Sequence, residues 1–153
     1  MPTQTLISQV LFDFGRALGL DGLMLDDDDH CCLKFDELEV HIQATQENAQ
    51  VMLYSTLAVT SEPTPAVMRR LLAANYGMLG TMGNTVGVHP ETGEVLLSRR
   101  FSSIGLEVLD FEALLQGFLE TADTVQTFWA SAQDTPTSVE PDLQVPMHTM
   151  IRA

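Results

Sequence analysis

The sequence predicts an α+β fold in the order helix, three strands, helix, two strands, helix, with the strands gathered into an antiparallel sheet. Three observations carry this. An amphipathic helix closed by a glycine opens the chain. Strand-like alternation of apolar and polar residues recurs in short runs, and two further helical repeats stand between and after those runs.

In the first helix Leu6, Ile7, Val10, Leu11, Phe14, Ala17 and Leu18 fall within one arc of roughly 140° at helical spacing, the broad stripe of a helix lying on a core. Gly19 followed by Leu20 predicts a left-handed closing turn, with Leu20 folding back on the last helical turn. Phe12 lies almost opposite the stripe, among Ser8, Gln9, Asp13, Gly15 and Arg16. It reads either as a single exposed aromatic, ordinary on soluble proteins, or as a binding anchor.

The run Asp26 to Asp29 predicts a solvated turn, because the alternating ligands, central Gly and terminal Glu of a calcium loop are missing. Beyond it Cys31, Leu33 and Phe35 alternate with Cys32 and Lys34. Leu38, Val40, Ile42 and Ala44 then alternate with Glu39, His41 and Gln43, giving a hairpin across Asp36-Glu37. The third strand, Val51 to Val59, is rich enough in β-branched, aromatic and aliphatic residues for burial on both faces. Short connections make the three an antiparallel meander.

Thr64 as N-cap and Pro65 at the first helical position start the second helix, which is predicted to run to about Leu79. Its apolar residues Val67, Met68, Leu71, Leu72, Ala74, Met78 and Leu79 surround more of the helix than one stripe needs. Either a subunit interface or the chain's own sheet and tail would explain this. Gly80 to Gly83 is a connector. Thr85 to His89 and Glu94 to Phe101 flank Pro90-Glu91-Thr92-Gly93 as a second hairpin. Asp110 is the predicted cap of a third helix, where Phe111, Leu114, Leu115, Phe118, Leu119, Ala122, Val125 and Trp129 recur as a core stripe.

From Gln133 onward Pro136, Pro141 and Pro146 stand among Thr, Ser, Glu and Asp, predicting an extended or disordered tail. Met147, Met150 and Ile151 near its end either dock on a partner or fray. The chain thus divides into a domain at 1–132 and a tail at 133–153. A length of 153 residues fits one domain with a sizeable core and not two of ordinary size.

Seven basic residues against 21 acidic ones give a formal charge of −14, which disfavours nucleic acid or an anionic membrane surface as partner and leaves basic or neutral proteins open. No apolar run approaches a membrane span, and the N-terminus lacks the basic start and apolar core of a signal peptide. The expectation is a cytoplasmic protein without membrane insertion. The only cysteines, Cys31 and Cys32, are adjacent and point to opposite faces of a strand, so they read as reduced thiols.

Catalytic chemistry has no local signature here. His30, His41, His89 and His148 are scattered, and paired His or Cys ligands, a nucleophile elbow and a phosphate-binding loop are all missing. The glycines of Gly77 to Gly83 follow a helix and lack the lysine of a phosphate loop. His41 reads as a solvent-facing strand residue rather than a base. Arg99-Arg100 place one guanidinium on each face of a strand, one of them for a neighbouring carboxylate. No catalytic residue, metal ligand or cofactor site is expected; a small enzyme assembled from scattered residues is the distant alternative.

Four stretches, in order, resemble the class I type III secretion chaperones, the family that includes the Tir chaperone. They are LGLDGLMLDDDDHCCLKFDE after helix 1, the helix ending LLAANYGML, the hairpin VGVHPETGEVLLSRRF, and LDFEALLQGFLETADTVQTFW in helix 3, within Leu6 to Ser131. The double cysteine and the proline-spaced tail stand outside that pattern. The resemblance implies a non-enzymatic homodimer, using no ATP and no cofactor, that binds an N-terminal segment of a secreted effector in extended form and keeps it competent for export. The secretion-system ATPase is a further partner it allows. By position, it puts the dimer contact on Leu71, Leu72, Asn75, Met78 and Val86, and effector contacts on Phe12, Leu23, Met24, Leu33 and Phe35. The alternation of the first strand instead makes Leu33 and Phe35 core. A regulatory protein of the same fold, sequestering a secretion-system regulator, is the alternative within the family.

Overall fold

A computed structural model describes residues 2–45, 49–57, 64–78 and 81–133, with backbone only for 2–5, 78 and 129–133. Helix α1 (Pro2–Ala17) starts before the apolar repeat does. Ile7, Val10, Leu11 and Phe14 are buried, whereas Leu6, Ala17 and Leu18 are exposed, so the buried stripe is narrower than its sequence pattern. The predicted glycine stop is present: Gly19 has φ 72°, its N–H reaches the Arg16 carbonyl at 3.2 Å, and the Leu20 N–H reaches the Gly15 carbonyl at 2.8 Å. These two bonds satisfy carbonyls that a helix end leaves open. Leu20 folds back through its backbone while its side chain stays exposed, and Leu23 does the packing. Gly15, on the polar side by helical spacing, is therefore buried. A Cβ there would stand 2.8 Å from both the Leu20 carbonyl and the Leu23 Cβ.

The strands β1 (His30–Phe35), β2 (Leu38–Ala44), β3 (Gln50–Leu57), β4 (Thr85–Val88) and β5 (Val95–Ser102) form one antiparallel sheet in the order β1-β2-β3-β5-β4. The meander holds for the first three strands. β5 then pairs with β3 along its whole length, from Gln50↔Ser102 to Leu57↔Val95, and leaves the shorter β4 at the edge. Short strands are the ones that edges tolerate. β3 is not buried on both faces as its composition allows: Val51, Leu53, Ser55 and Leu57 are buried, while Met52, Tyr54 and Thr56 line the other face.

Helices α1 and α3 (Val108–Gln133) cover the face made by Val40, Ile42, Leu53 and Leu97, all fully buried. The Phe14 and Phe111 rings meet edge to face at 5.1 Å across the two helices. Asp110 is not the cap of α3. Helical residues start two positions earlier, and its carboxylate reaches back to the Glu107 N–H at 3.0 Å, so Glu107 occupies the cap position. An acidic side chain three residues inside a helix satisfies the cap's own amide this way. α3 continues through Gln133, and the predicted tail beyond it lies outside the described residues.

Helix α2 (Pro65–Asn75) has the predicted N-cap, with Thr64 accepting from the Val67 N–H at 3.3 Å and Pro65 following it. It ends earlier than predicted. Gly77, at φ 61°, turns Tyr76–Met78 into a single 3-10 turn, and Leu79 lies outside the described residues. α2 stands beside β4 at the sheet edge, with Leu71 reaching the core and Val67 packed against it. The connector is pinned to α3 by Asn84, whose buried amide donates to the Thr81 carbonyl at 2.8 Å and to Thr121 Oγ1 at 2.9 Å. Arg99 lies on the core side and donates to the Met82 carbonyl at 3.0 Å, and among the described residues it meets no carboxylate.

Candidate functional site

The corner where α1 runs into β1 combines exposed apolar side chains with an open strand edge. Phe12 is 44% exposed and Met24 63% exposed. Leu23 lies on Gly15, one helical turn beyond Phe12, so Phe12 and Leu23 border one surface. Leu33 is buried at 6% exposure and Phe35 packs against the same core, because both alternate inward from β1. In this conformation Leu33 offers no side-chain surface to a partner, and alternation is the better guide to it than position in the chain.

Asp26 organises the loop that delivers β1. Its carboxylate accepts from the Asp28 N–H at 2.9 Å and the His30 N–H at 3.0 Å, and its own N–H donates to the His30 carbonyl at 2.8 Å. The bond from the His30 amide is the main cause that holds the Asp26 carboxyl below its ordinary range, with the Asp28 amide and the His30 ring adding to it. The acidic run is thus a built turn, not only a solvated one. It engages the outward backbone groups of His30. Cys32 and Lys34, which share His30's side of β1 by the antiparallel alternation, have outward backbone groups at the sheet edge that no strand among the described residues pairs.

The opposite edge is closed at Val86. Asn75 donates from Nδ2 to the Val86 carbonyl at 2.7 Å and accepts the Val86 N–H on Oδ1 at 2.8 Å. One side-chain amide thereby occupies the position of a neighbouring strand. Of the residues assigned to a dimer contact, Leu71 and Val86 are buried within the chain and Asn75 holds this edge. The side chain of Met78 lies outside the described residues. Leu72 is 70% exposed and forms a stripe at four-residue spacing with Met68 and Tyr76, themselves 37% and 60% exposed. Met68 stood in the apolar set of the predicted helix, whereas Tyr76, inside the same predicted helix, did not.

The face of the sheet away from α1 and α3 carries two of the histidines that are scattered in sequence, His30 and His41; His148 lies outside the described residues. The His41 ring stacks between His30 at 5.2 Å and Tyr54 at 4.9 Å, with His30 Nε2 3.0 Å from His41 Nδ1. Cys31 and Cys32 take opposite faces as expected, Cys31 buried and Cys32 exposed. Burial pushes both thiols up, so neither is an activated nucleophile. His89 Nδ1 accepts the Glu91 and Thr92 amides of its own hairpin turn, each at 3.2 Å. Among the described residues no helix is long and apolar enough to cross a membrane.

The profile of the Tir chaperone protein (CesT) family matches residues 9–126, most of the chain. The chain belongs to this family. It is a type III secretion chaperone of the effector-binding kind, and the family is one of chaperones. Its fold recurs in solved structures. The ExsC–ExsE complex matches with TM-score 0.72 and 23% identity, covering 81% of this chain and 93% of that one. The HopA1–SchA chaperone–effector complex matches with TM-score 0.71 and 20% identity, covering 83% and 98%. The heterodimeric ExoU–SpcU complex from the type III secretion system of Pseudomonas aeruginosa matches with TM-score 0.58 and 15% identity, covering 79% and 95%. At such identities the likeness carries the fold alone. No curated protein matches the chain by sequence.

Proposed function

We propose that this Tir-chaperone-family protein acts in the bacterial cytoplasm as a homodimer that holds the N-terminal segment of one or more secreted effectors in extended form. It does so without catalysis or a cofactor. The observation that carries the proposal is the corner described above, an open β1 edge at Cys32 and Lys34 beside exposed Phe12 and Met24 and half-buried Leu23. An extended peptide gains main-chain hydrogen bonds at such an edge and places alternate apolar side chains on the neighbouring surface. The β4 edge cannot serve in the same way at Val86, whose backbone groups Asn75 already holds.

The stripe Met68, Leu72 and Tyr76 supports the second copy. Its side chains lie on the outer side of an edge helix whose inner side is already packed through Leu71. Exposed apolar stripes of this kind mark interaction surfaces on soluble proteins. Substituting Phe12→Asp, on a side chain already exposed to solvent, tests the cargo surface. The expected result is loss of effector capture with an unchanged dimer mass and unchanged circular dichroism. Wild-type affinity for the effector in that variant would remove Phe12 from the binding surface.

A further inference from the structure

The β1–β2 hairpin turns three side chains of mixed donor chemistry toward one point on the uncovered face of the sheet. Cys32 and His41 are direct partners in the ladder, and Glu39 precedes His41 by two residues on the same face. Because the Cys32 backbone points to the open edge, this pair belongs to the class without mutual hydrogen bonds, where side chains approach most closely. One ligand atom from each of Cys32, Glu39 and His41 lies within 4.8 Å of the others. We propose that these three residues form a transition-metal site of the zinc type.

The donor set selects the metal. A sulfur, an imidazole nitrogen and a carboxylate oxygen suit Zn²⁺, whereas Ca²⁺ and Mg²⁺ take oxygen ligands. Three protein ligands leave a fourth position open to water or to a donor from a bound molecule. The His41 ring is held in place on both sides, by Tyr54 and by His30, and His30 is in turn 3.7 Å from the Asp26 carboxylate. A carboxylate and an imidazole standing behind a ligand in this way fix its ring orientation and support metal affinity. Lys34 is the cross-strand neighbour of Glu39, yet among the described residues the two make no ion pair. The Glu39 carboxylate is left facing the thiol.

Binding exchanges a proton for the metal. The Cys32 thiol gives up its S–H proton to solvent and forms a sulfur–metal bond, with no change of oxidation state. In the metal-free chain, burial and the Glu39 charge both oppose that thiolate. A divalent cation between the two groups removes the repulsion.

The test uses the full metal-free chain titrated with Co²⁺ and then Zn²⁺. The expected result is one Co²⁺ bound per chain with proton release and a thiolate-to-cobalt charge-transfer band, the band then lost as Zn²⁺ displaces Co²⁺ without further proton release. Cys32→Ser should abolish the band, and both Cys32→Ser and His41→Asn should weaken Zn²⁺ binding by at least about tenfold. His30→Ala, a change in a positioning residue, should weaken binding by about 10–100-fold while keeping the band. His89→Ala, at the far hairpin, should change neither. Circular dichroism confirms that the variants are folded, all four positions lying outside the buried core. Absence of saturable binding, or binding that survives Cys32→Ser and His41→Asn, overturns the site.

Discussion

Asp26 is one of four consecutive aspartates, and only the folded chain distinguishes it. Its carboxylate accepts two backbone amides and so shapes the entry into β1, the strand whose edge is proposed to receive cargo. A carboxyl held below its ordinary value stabilises the fold above that value, 3.8 here, and the contribution is lost as pH falls through the folded value. Asp26→Asn should therefore lower the urea midpoint at neutral pH, with the gap to wild type closing in strong acid. A gap that is constant across pH would show that the charge is not what holds the turn. No spacing in the sequence separates Asp26 from Asp27, Asp28 and Asp29, because its role depends on where His30 lies after the hairpin has formed. His30 and His41 were illegible for the same reason: eleven residues apart, they meet only through the β1–β2 register.

At the scale of elements, periodicity was the reliable guide and termini were not. The α3 stripe as far as Val125, the middle of the α1 stripe from Ile7 to Phe14 and the alternation of β1 and β2 place the core correctly, including Leu33, whose position in the chain had indicated a cargo contact. The end of α2 was misplaced because Gly77 breaks a run of residues that otherwise continue a helix. Strand order was out of reach, since a hairpin reads the same whichever of its strands joins the sheet. The Asn75 clip belongs to this scale. It covers the one pair of edge groups at Val86 and stands against unwanted strand pairing, the hazard of any free edge. Asn75→Ala should cost about 1 kcal/mol by chemical denaturation and raise concentration-dependent self-association in light scattering. An unchanged association profile would assign the clip to stability alone.

Among the described residues, exposed apolar side chains stand at the α1–β1 corner and along α2, and the proposed function uses both surfaces. Charge reinforces the division of labour: at −14 the chain repels anionic polymers, so exposed apolar groups rather than a basic patch must do the recognising. Composition and charge made this much legible in the sequence, and the family pattern supplied the homodimer and the extended cargo as expectations. The two surfaces are separable by mutation. Leu72→Asp, at a residue 70% exposed, should yield a folded monomer, seen as a halved mass in light scattering with unchanged circular dichroism. A dimer that persists would move the interface off the α2 stripe.

The most direct measurement is the mass and protease footprint of the complex that the tagged chain forms with its effector in native cells during active secretion. Two copies of the chain with one effector, protected from protease along an N-terminal stretch and digested elsewhere within that segment's flanks, is the result predicted here. A chain that purifies as a single copy, or that protects a folded globular partner throughout, would contradict it.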